Sequence, residues 1–199
     1  MRVLWAARAI EAGFDCEGWS RRACSTSGED AQRGRFDRSS VSLTASLGEG
    51  REAVFTRAAN ALLLYQVFPP WRMRYRVCTG DGRVARGATI VQRVRLGLVA
   101  LETAVRVVDV FEWAPPGERK CGFSYATLEG HPERGIATFY VRQDSLTGVV
   151  DLVIETWSRP GTWATRMGRP VARLLQRHLT SEALRYFQAL VVAPGSLSL

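Results

Sequence analysis

The sequence predicts an α+β fold in which an antiparallel sheet packs against a long C-terminal helix. Successive segments alternate apolar and polar residues with the period of a strand, and turns rich in Gly and Pro separate them without the crossover helices that a parallel sheet needs. After Pro160 the period becomes helical, and a broad apolar stripe continues to Val192. A chain of 199 residues, 46% of them hydrophobic, is long enough to bury the core of one domain.

The N-terminal part of the chain predicts a strand and a helix after an irregular start. The first eleven residues favour a short helix, and Ser20–Arg38, rich in Ser, Gly and Arg, is typical of a loop. Ser39–Leu47 alternates as a strand does, and glycines follow it. Glu52–Val67 carries Ala and Leu at helical spacing and stops before Pro69.

Five further strands and a final helix complete the prediction. The strands are Val84–Arg95, Leu101–Phe111, Cys121–Leu128, Ile136–Arg142 and Val149–Trp157. The final helix begins near Pro170, because proline is tolerated in a first helical turn, and it covers residues 170–191. We expect a divergent, partly looped N-terminal segment over residues 1–37, a folded domain over 38–192 and a tail over 193–199.

The net charge of +8 raises the possibility of a nucleic-acid partner, but the distribution of charge does not favour one. Lys120 is the only lysine among the 27 basic residues, a skew that a GC-rich genome produces through codon usage. The arginines are scattered, apart from Arg72, Arg74 and Arg76 and a patch over residues 166–177. An aromatic RNA-binding signature and zinc-finger spacing are both absent from the sequence. Nucleic-acid binding through these patches is the less favoured alternative.

Cysteine and histidine usage favours a protein without disulfides or metal. Cys16, Cys24, Cys78 and Cys121 lie far apart and form no Cys-x-x-Cys pair, which predicts free thiols in a cytoplasmic protein. Two histidines are too few to favour a zinc site. The chain has no run of 18 apolar residues, and its apolar stretch over residues 3–7 is too short for a signal peptide. We therefore expect a cytoplasmic location and no membrane span.

One turn concentrates residues capable of acid–base chemistry. His131, Glu133 and Arg134 lie between two predicted strands, and Arg159 follows the next strand. Imidazole, with an unperturbed pKa of about 6.5, exchanges protons near neutrality, and a carboxylate beside it favours the imidazolium. Arg159 could hold a carboxylate or polarise a carbonyl. Two structural alternatives stay open: an ordinary solvated turn, or an ion pair between Arg159 and Glu133 that pins the turn.

Strand alternation indicates which side chains could line a binding site. Phe123, Tyr125 and Thr127 share one face of their strand. On the last strand, Trp157 shares a face with Glu155, which we expect to face solvent because unpaired carboxylates are costly to bury. Trp157 therefore either covers a sheet edge or borders the site.

Three residues outside the strands are further candidates for the wall or mouth of a binding site. Trp71 and Arg72 follow two prolines, and His178 lies on the apolar stripe of the final helix. A histidine at such a position is either a core residue bonded to a backbone carbonyl or a group that contacts ligand.

Cofactor-binding motifs are absent from the sequence. It has no Gly-x-Gly-x-x-Gly after a strand, no phosphate-binding Gly-Lys-Ser/Thr loop and no Gly-x-Ser-x-Gly nucleophile turn. These absences predict no cofactor and leave proton-transfer chemistry, or binding without turnover.

The residues of the acid–base turn also carry a resemblance to a known family. The pattern is Tyr125-x-Thr127-Leu128-x-Gly130-His131-Pro132-Glu133-x-Gly135, then Ser158-Arg159-Pro160, Gly168-x-Pro170 and Gln176-Arg177, with Leu47-Gly48-x-Gly50, Ala58-Ala59 and Trp71-Arg72-Met73 upstream. It resembles a domain-of-unknown-function family grouped with the START-like, pollen-allergen-like helix-grip proteins, and it spans about residues 40–190. The resemblance implies a curved antiparallel sheet wrapped around a long C-terminal helix, with an internal cavity.

The resemblance also implies a hypothesis for function. Helix-grip relatives include polyketide cyclases and aromatases, and some similar proteins are linked to spiroketal formation, which implies cofactor-free ring closure or dehydration of a mostly apolar small molecule. In this hypothesis His131, tuned by Glu133, moves a proton, while Arg159 and Tyr125 position or polarise the substrate. The alternatives are a non-catalytic ligand carrier and a structural module in which His131 and Glu133 only stabilise the turn.

Overall fold

The computed structural model describes residues 1–5, 13–26, 35–43, 50–160 and 169–192. Its strands are β1 (Arg2–Trp5), β2 (Arg35–Ser42), β3 (Met73–Val77), β4 (Thr89–Leu96), β5 (Val99–Trp113), β6 (Glu118–Thr127), β7 (Glu133–Asp144) and β8 (Val150–Pro160). Its helices are α1 (Cys16–Ser20), α2 (Arg51–Leu63) and α3 (Arg169–Val192). The middle of the predicted N-terminal loop, Gly48, Arg166, Gly168 and the tail over residues 193–199 lie outside the described residues.

The strands form one antiparallel sheet in the order β2-β8-β7-β6-β5-β4-β3. The remaining strand, β1, pairs with the start of β5, beyond the point where β6 ends. Together with α3, this sheet confirms the predicted α+β helix-grip fold. The long final helix was placed correctly to within a residue at each end, and His131 lies in the turn between β6 and β7, as predicted.

The core lies between the concave face of the sheet and the two longer helices. The apolar residues of α2 recur at helical spacing and are buried, with Phe55, Ala58 and Leu62 among them. The C-terminal half of α3 buries Ala183, Leu184, Phe187 and Val191 in the same cluster. Burying a Leu, Phe or Val side chain stabilises the fold by about 1.5–3 kcal/mol, which explains why the helices dock on this face.

The N-terminal segment crosses the opposite, convex face and is cross-linked to it. Cys16, at the start of α1, forms a disulfide with Cys78, which follows β3. The prediction of four free thiols is therefore wrong for these two cysteines, while Cys24 and Cys121 are free. A spacing of 62 residues carries no local motif, so the pairing was not visible in the sequence.

The convex face also carries a buried ion pair under this segment. Arg93 and Glu102, with side chains 4% and 1% exposed, lie opposite each other on β4 and β5 at 2.7 Å. Trp19 of α1 donates its indole N–H to the same carboxylate at 3.0 Å.

The first residues of the chain form a strand, whereas the sequence predicted a short helix. Arg2–Trp5 pairs with β5. No helix in the described ranges is long and apolar enough to cross a membrane.

Removing the disulfide is expected to destabilise the protein. Closing a loop of 62 residues restricts the unfolded chain by an amount worth about 4 kcal/mol at 25 °C. The double variant Cys16→Ser, Cys78→Ser should lose this amount in guanidinium unfolding, and a dithiol reductant should impose the same loss on the wild type. Cys24→Ser, which removes an exposed free thiol, is the matched control. Four reactive thiols in the unfolded, unreduced wild type would contradict the cross-link.

Candidate functional site

A row of residues crosses the concave face and defines the candidate site. Strand pairing places Asp37, Thr156, Ala137 and Tyr125 side by side on β2, β8, β7 and β6. Directly paired residues of adjacent strands project from the same face, so these four side chains face α3. At the β2 end of the row, a crevice of about 340 Å³ opens between the sheet and α3. Hydroxyls of Ser39, Thr156, Thr180 and Ser181 line it, together with Asp37, Arg38, Ile154, Arg177 and Leu184.

Aromatic rings form the apolar floor beside this row. Phe123 and Phe139 pair across β6 and β7, and their rings stack with centroids 5.4 Å apart. Tyr125 lies 5.4 Å from the Phe139 ring and 6.3 Å from the Phe123 ring. Phe68, from the loop after α2, meets Phe139 edge-on at 6.2 Å. The prediction that Phe123 and Tyr125 share a face therefore places both of them at the candidate site.

A hydrogen-bonded pair of side chains and a third polar side chain beside it are set into this apolar surface. Gln92 of β4 donates its amide N–H to the hydroxyl of Tyr65. Tyr125 lies beside this pair, because the rings of Tyr65 and Tyr125 both pack on Phe123, with centroids 5.9 Å and 6.3 Å away. Burial raises the pKa of Tyr125 to about 12 and that of Tyr65 well above its usual value. Both phenols therefore stay protonated at every physiological pH.

Tyr65 reaches this group through an unusual helix end. It has φ of 59°, the left-handed conformation in which glycine is favoured. The Tyr65 N–H donates to the Leu62 carbonyl at 2.9 Å, and the Gln66 N–H donates to the Ala61 carbonyl at 3.0 Å. These two bonds are those of a Schellman motif, whose left-handed position is usually a glycine. The turn reverses the chain after α2 and directs the Tyr65 ring into the core, where it is fully buried.

The turn between β6 and β7 presents His131 and Glu133 at the end of the site. His131 Nδ1 lies 2.9 Å from the carbonyl oxygen and 3.1 Å from the backbone nitrogen of Glu133. Nδ1 is therefore occupied by the main chain in either tautomer, and only Nε2 can meet a ligand. Burial lowers the pKa of His131 to about 4, despite the opposing hydrogen bond to the Glu133 carbonyl. The ring is neutral at pH 7.

The Glu133 carboxyl lies on the same face of the sheet as Tyr125. Glu133 lies four residues before Ala137 on β7. Strand alternation therefore places its side chain on the same, concave side of the sheet. Burial raises its pKa, and the charge of Asp37 raises it further. Its proton is therefore retained to a higher pH than that of an ordinary glutamate, which suits a carboxyl for acid–base exchange.

The N-terminal segment holds this turn from outside. The Ser25 N–H donates to the Thr127 carbonyl at 2.8 Å, and the two side-chain hydroxyls lie 2.7 Å apart. The Thr127 hydroxyl also accepts the Gly135 N–H at 3.0 Å, which ties the ends of β6 and β7 together. The Glu129 N–H donates to the Ala23 carbonyl at 3.0 Å. Thr127, a predicted binding residue, thus has its hydroxyl engaged in fixing the turn.

Two predicted site residues lie on the convex face instead. Strand alternation on β8 places Trp157 and Arg159 on the opposite side from Thr156. The Trp157 ring packs against Phe36 with centroids 4.7 Å apart, and Arg159 pairs in register with the exposed Arg134. On the same face Glu155 accepts a hydrogen bond from Tyr140 at 2.9 Å. Trp157 packs there over the pairing of β2 with β8.

Trp71, Arg72 and His178 come together at a separate place. All three contact Glu182 of α3: the Trp71 indole N–H at 3.1 Å, Arg72 Nε at 2.8 Å and His178 Nε2 at 3.7 Å. The Trp71 ring also meets Tyr186 edge-on at 5.6 Å. His178 is 56% exposed, so it is neither a core histidine nor part of the concave floor. This group fastens α3 to the loop before β3, and it engages the first arginine of the basic patch.

Sequence reasoning missed Tyr65, Gln92 and Asp37. On β4, the side chains of Ile90, Gln92 and Val94 alternate onto the concave side of the sheet. A polar residue among inward-facing apolar ones is the one signal in the sequence that could have identified Gln92. As for metals, no three His, Cys, Asp or Glu side chains converge as ligands anywhere in the described part of the chain.

Fold and site together define a helix-grip protein with a polar group set into an aromatic concave face. The family model described as a domain of unknown function (DUF1990) matches residues 26–186. A UPF0548 protein of Deinococcus radiodurans is 32% identical over 158 residues, which cover 75% of this chain and 75% of that protein. The chain therefore belongs to the DUF1990 family.

Solved structures show the same fold in distant proteins. A hypothetical protein from Helicobacter pylori aligns with a TM-score of 0.52 at 8% identity and covers 80% of this chain and 87% of that chain. A protein from Thermus thermophilus aligns with a TM-score of 0.50 at 11% identity and covers 81% of this chain and 100% of that chain. At these identities the likeness concerns the fold alone.

The lowered pKa of His131 predicts a loss of stability in mild acid. As pH falls from the unfolded value of 6.5 toward the folded value of about 4, the unfolded chain takes up the proton first. The stability that His131 contributes is complete above pH 6.5 and declines by about 3 kcal/mol across this window. His131→Asn should flatten the decline in urea unfolding measured at several pH values.

The other histidine provides the matched control. His178→Asn changes an exposed ring, so the slope of stability against pH should change less in this variant than in His131→Asn. The raised pKa of Glu133 makes stability change with pH in the opposite direction. Glu133 is present in all three proteins, so its contribution cancels in the comparison. Parallel curves for the wild type and His131→Asn would show that His131 is not buried as a neutral ring.

Proposed function

We propose that this protein binds a mostly apolar small molecule between α3 and the concave face of the sheet. The observation that carries the proposal is the group of Tyr65, Gln92 and Tyr125, two buried polar side chains and one half-buried one, among aromatic rings beside a crevice. Ligand sites are generally built this way, with apolar walls and a few placed polar groups that fix orientation. The hydroxyls around Thr156 and Thr180 would receive a polar end of the ligand, and the rings near Tyr125 its apolar body.

We further propose that the site catalyses cofactor-free ring closure, as in polyketide or spiroketal cyclisation. A hydroxyl of the substrate attacks its own carbonyl carbon, Glu133 takes the hydroxyl proton, and a proton returns to the carbonyl oxygen to give a cyclic hemiketal. Tyr125 holds the carbonyl during this step, and His131 Nε2 borders the substrate as a neutral group. The raised pKa of Glu133 and its position on the Tyr125 face support it as the acid–base residue. His131, with its pKa lowered to about 4, is the weaker base.

Filling the crevice should abolish ligand binding. Ser39 lines it, whereas Ser40 is the next residue of β2 and is exposed on the opposite face. Ser39→Trp is expected to lower the affinity for an apolar naphthalene dye at least tenfold, and the matched variant Ser40→Trp should bind as the wild type does. Dye fluorescence titrations measure both, with thermal unfolding to verify the fold. Equal affinities for the two variants would place the ligand elsewhere.

The catalytic proposal predicts a specific loss at Glu133. Glu133→Gln keeps the shape of the side chain but cannot exchange a proton, so the cyclisation of a synthetic dihydroxyketone should slow at least tenfold, about 1.4 kcal/mol of barrier. Its affinity for the naphthalene dye should stay unchanged. Arg134→Gln, one residue along and exposed on the other face, is the control and should react as the wild type does. A wild type that gives no acceleration over buffer would leave a binding protein without turnover.

A further inference from the structure

The crevice beside α3 is lined by hydroxyl groups that the protein leaves open. Ser39 lies on its β2 side, and Thr180 and Ser181 lie on its α3 side. In the described part of the chain, none of these three hydroxyls has a hydrogen-bond partner. A hydroxyl carries one donor and two acceptor lone pairs, so each of them can bond to a donor or to an acceptor of a ligand. The crevice therefore suits a ligand end that carries several polar groups.

One carboxylate gives the crevice a preference for hydrogen-bond donors. Oδ2 of Asp37 accepts from Nε of Arg35, two residues earlier on the same face of β2, at 2.9 Å. The other oxygen, Oδ1, has no donor among the residues that the structure describes. An ionised carboxylate only accepts hydrogen bonds, and a bond to a charged group is stronger than a bond between neutral groups. Oδ1 of Asp37 therefore favours a ligand that presents a hydroxyl.

The charges around the crevice disfavour an ionic ligand end of either sign. An anion would lie against the Asp37 carboxylate. A cation would lie near Arg35, which is bonded to that carboxylate, and near the exposed Arg177 at the rim. Arg38 adds no charge to the crevice, because its side chain turns to the other face of β2, where Nε lies 3.6 Å from Glu155. Juxtaposed like charges select against a ligand, which leaves an uncharged end.

The size and surroundings of the crevice limit this ligand end to a compact group. The volume of about 340 Å³ is at the lower end of the range for ligand pockets, about 300–1,000 Å³. Thr156 lines the crevice and also belongs to the row that leads across the sheet to Tyr125. A polar group in the crevice is therefore continuous with an apolar body along that row.

We infer that the ligand of this site carries a compact, uncharged head group with several hydroxyls, which Asp37 and the three open hydroxyls of the crevice bind. One hydroxyl of the head group donates to Asp37, and the others exchange hydrogen bonds with the serine and threonine side chains. The ligand class is a polyhydroxylated head joined to a flat apolar body, as in a glycoside of an aromatic compound. This inference rests on the proposed function, because it requires that the apolar body occupies the concave face.

Three naphthalene probes that differ in the head group test the inference. The first, 2-naphthyl β-D-glucoside, has a neutral polyhydroxylated head; 2-naphthyl β-D-glucuronide carries a carboxylate in place of one hydroxymethyl group; and 2-methoxynaphthalene lacks the sugar. Calorimetry measures their affinities for the wild type, Asp37→Asn and the matched control Asp109→Asn. Asp109 is exposed on β5 and pairs with Ser124, whose side chain faces the convex side, and its replacement changes the net charge equally.

The wild type should bind the glucoside about tenfold more tightly than either of the other probes. Asp37→Asn should lower the affinity for the glucoside about tenfold. The same variant should raise the affinity for the glucuronide, because the charge that repels its carboxylate is removed. A purely structural role of Asp37 would instead weaken the binding of both sugars. Asp109→Asn should keep the wild-type preferences.

A second pair of variants tests the open hydroxyls and does not depend on the folding of Asp37→Asn. Ser39→Ala removes one hydroxyl of the crevice, and Ser40→Ala removes one on the exposed, opposite face of β2. Ser39→Ala should weaken binding of the glucoside by about threefold to tenfold and leave binding of 2-methoxynaphthalene unchanged. Ser40→Ala should change neither affinity.

The outcomes distinguish the two proposals. Tighter binding of the glucuronide than of the glucoside by the wild type would overturn the inference and show that Arg177 selects an anion. Equal affinities of the wild type for the glucoside and 2-methoxynaphthalene, or equal effects of Ser39→Ala and Ser40→Ala, would overturn it and leave the apolar site intact. If none of the probes binds the wild type up to its solubility limit, the proposed function fails and this inference fails with it.

Discussion

The concave face depends on the close approach of three strands at two glycines. A Cβ on Gly122 of β6 would lie 2.2 Å from the Phe139 carbonyl oxygen, and one on Gly135 of β7 would lie 2.1 Å from that of Trp157. These contacts are with backbone atoms, so neighbouring side chains cannot relieve them. Glycines of this kind, together with the register shift in β5 after Val107, let a sheet bend sharply. Without the bend, the row that carries Tyr125 would face a flat layer instead of a groove.

The convex face contributes to the site through the N-terminal segment. The Arg93–Glu102 pair lies beneath it, and such a pair is tolerated in a dry interior only where further hydrogen bonds complete it, as the Trp19 indole does here. The disulfide fixes one end of the segment to the sheet. The other end bonds through Ser25 to the base of the turn that carries His131. The position of the acid–base turn is therefore set from both faces of the sheet.

The elements that sequence predicted are those with a strong local period. The strands from Val84 onward and α3 alternate or repeat clearly, whereas β1 is four residues long and owes its conformation to a distant partner. The β3 strand was missed because its alternating arginines indicate a charge patch as readily as a strand. The same limit applies to the site: alternation placed Phe123 and Tyr125 on one face, but Tyr65 arrives through a helix end and Gln92 through another strand. Three segments that lie far apart in the sequence meet at this site, and a single sequence does not show which distant segments come into contact.

The buried titratable groups of the site are held in their uncharged forms, although the chain as a whole is strongly basic. The net charge is +8, yet burial moves the titrating groups around Tyr125 toward their uncharged forms: the pKa of His131 falls to about 4, that of Glu133 rises, and that of Tyr125 rises to about 12. A surface that disfavours its own charges also disfavours an ionic ligand, since the same loss of hydration applies to both. Within the proposed function, this favours a neutral body for the part of the ligand that lies beside Tyr125. Within the proposed reaction, the raised pKa makes the Glu133 carboxylate a stronger base than an ordinary glutamate, whereas the lowered pKa makes the His131 imidazole a weaker base than an ordinary histidine.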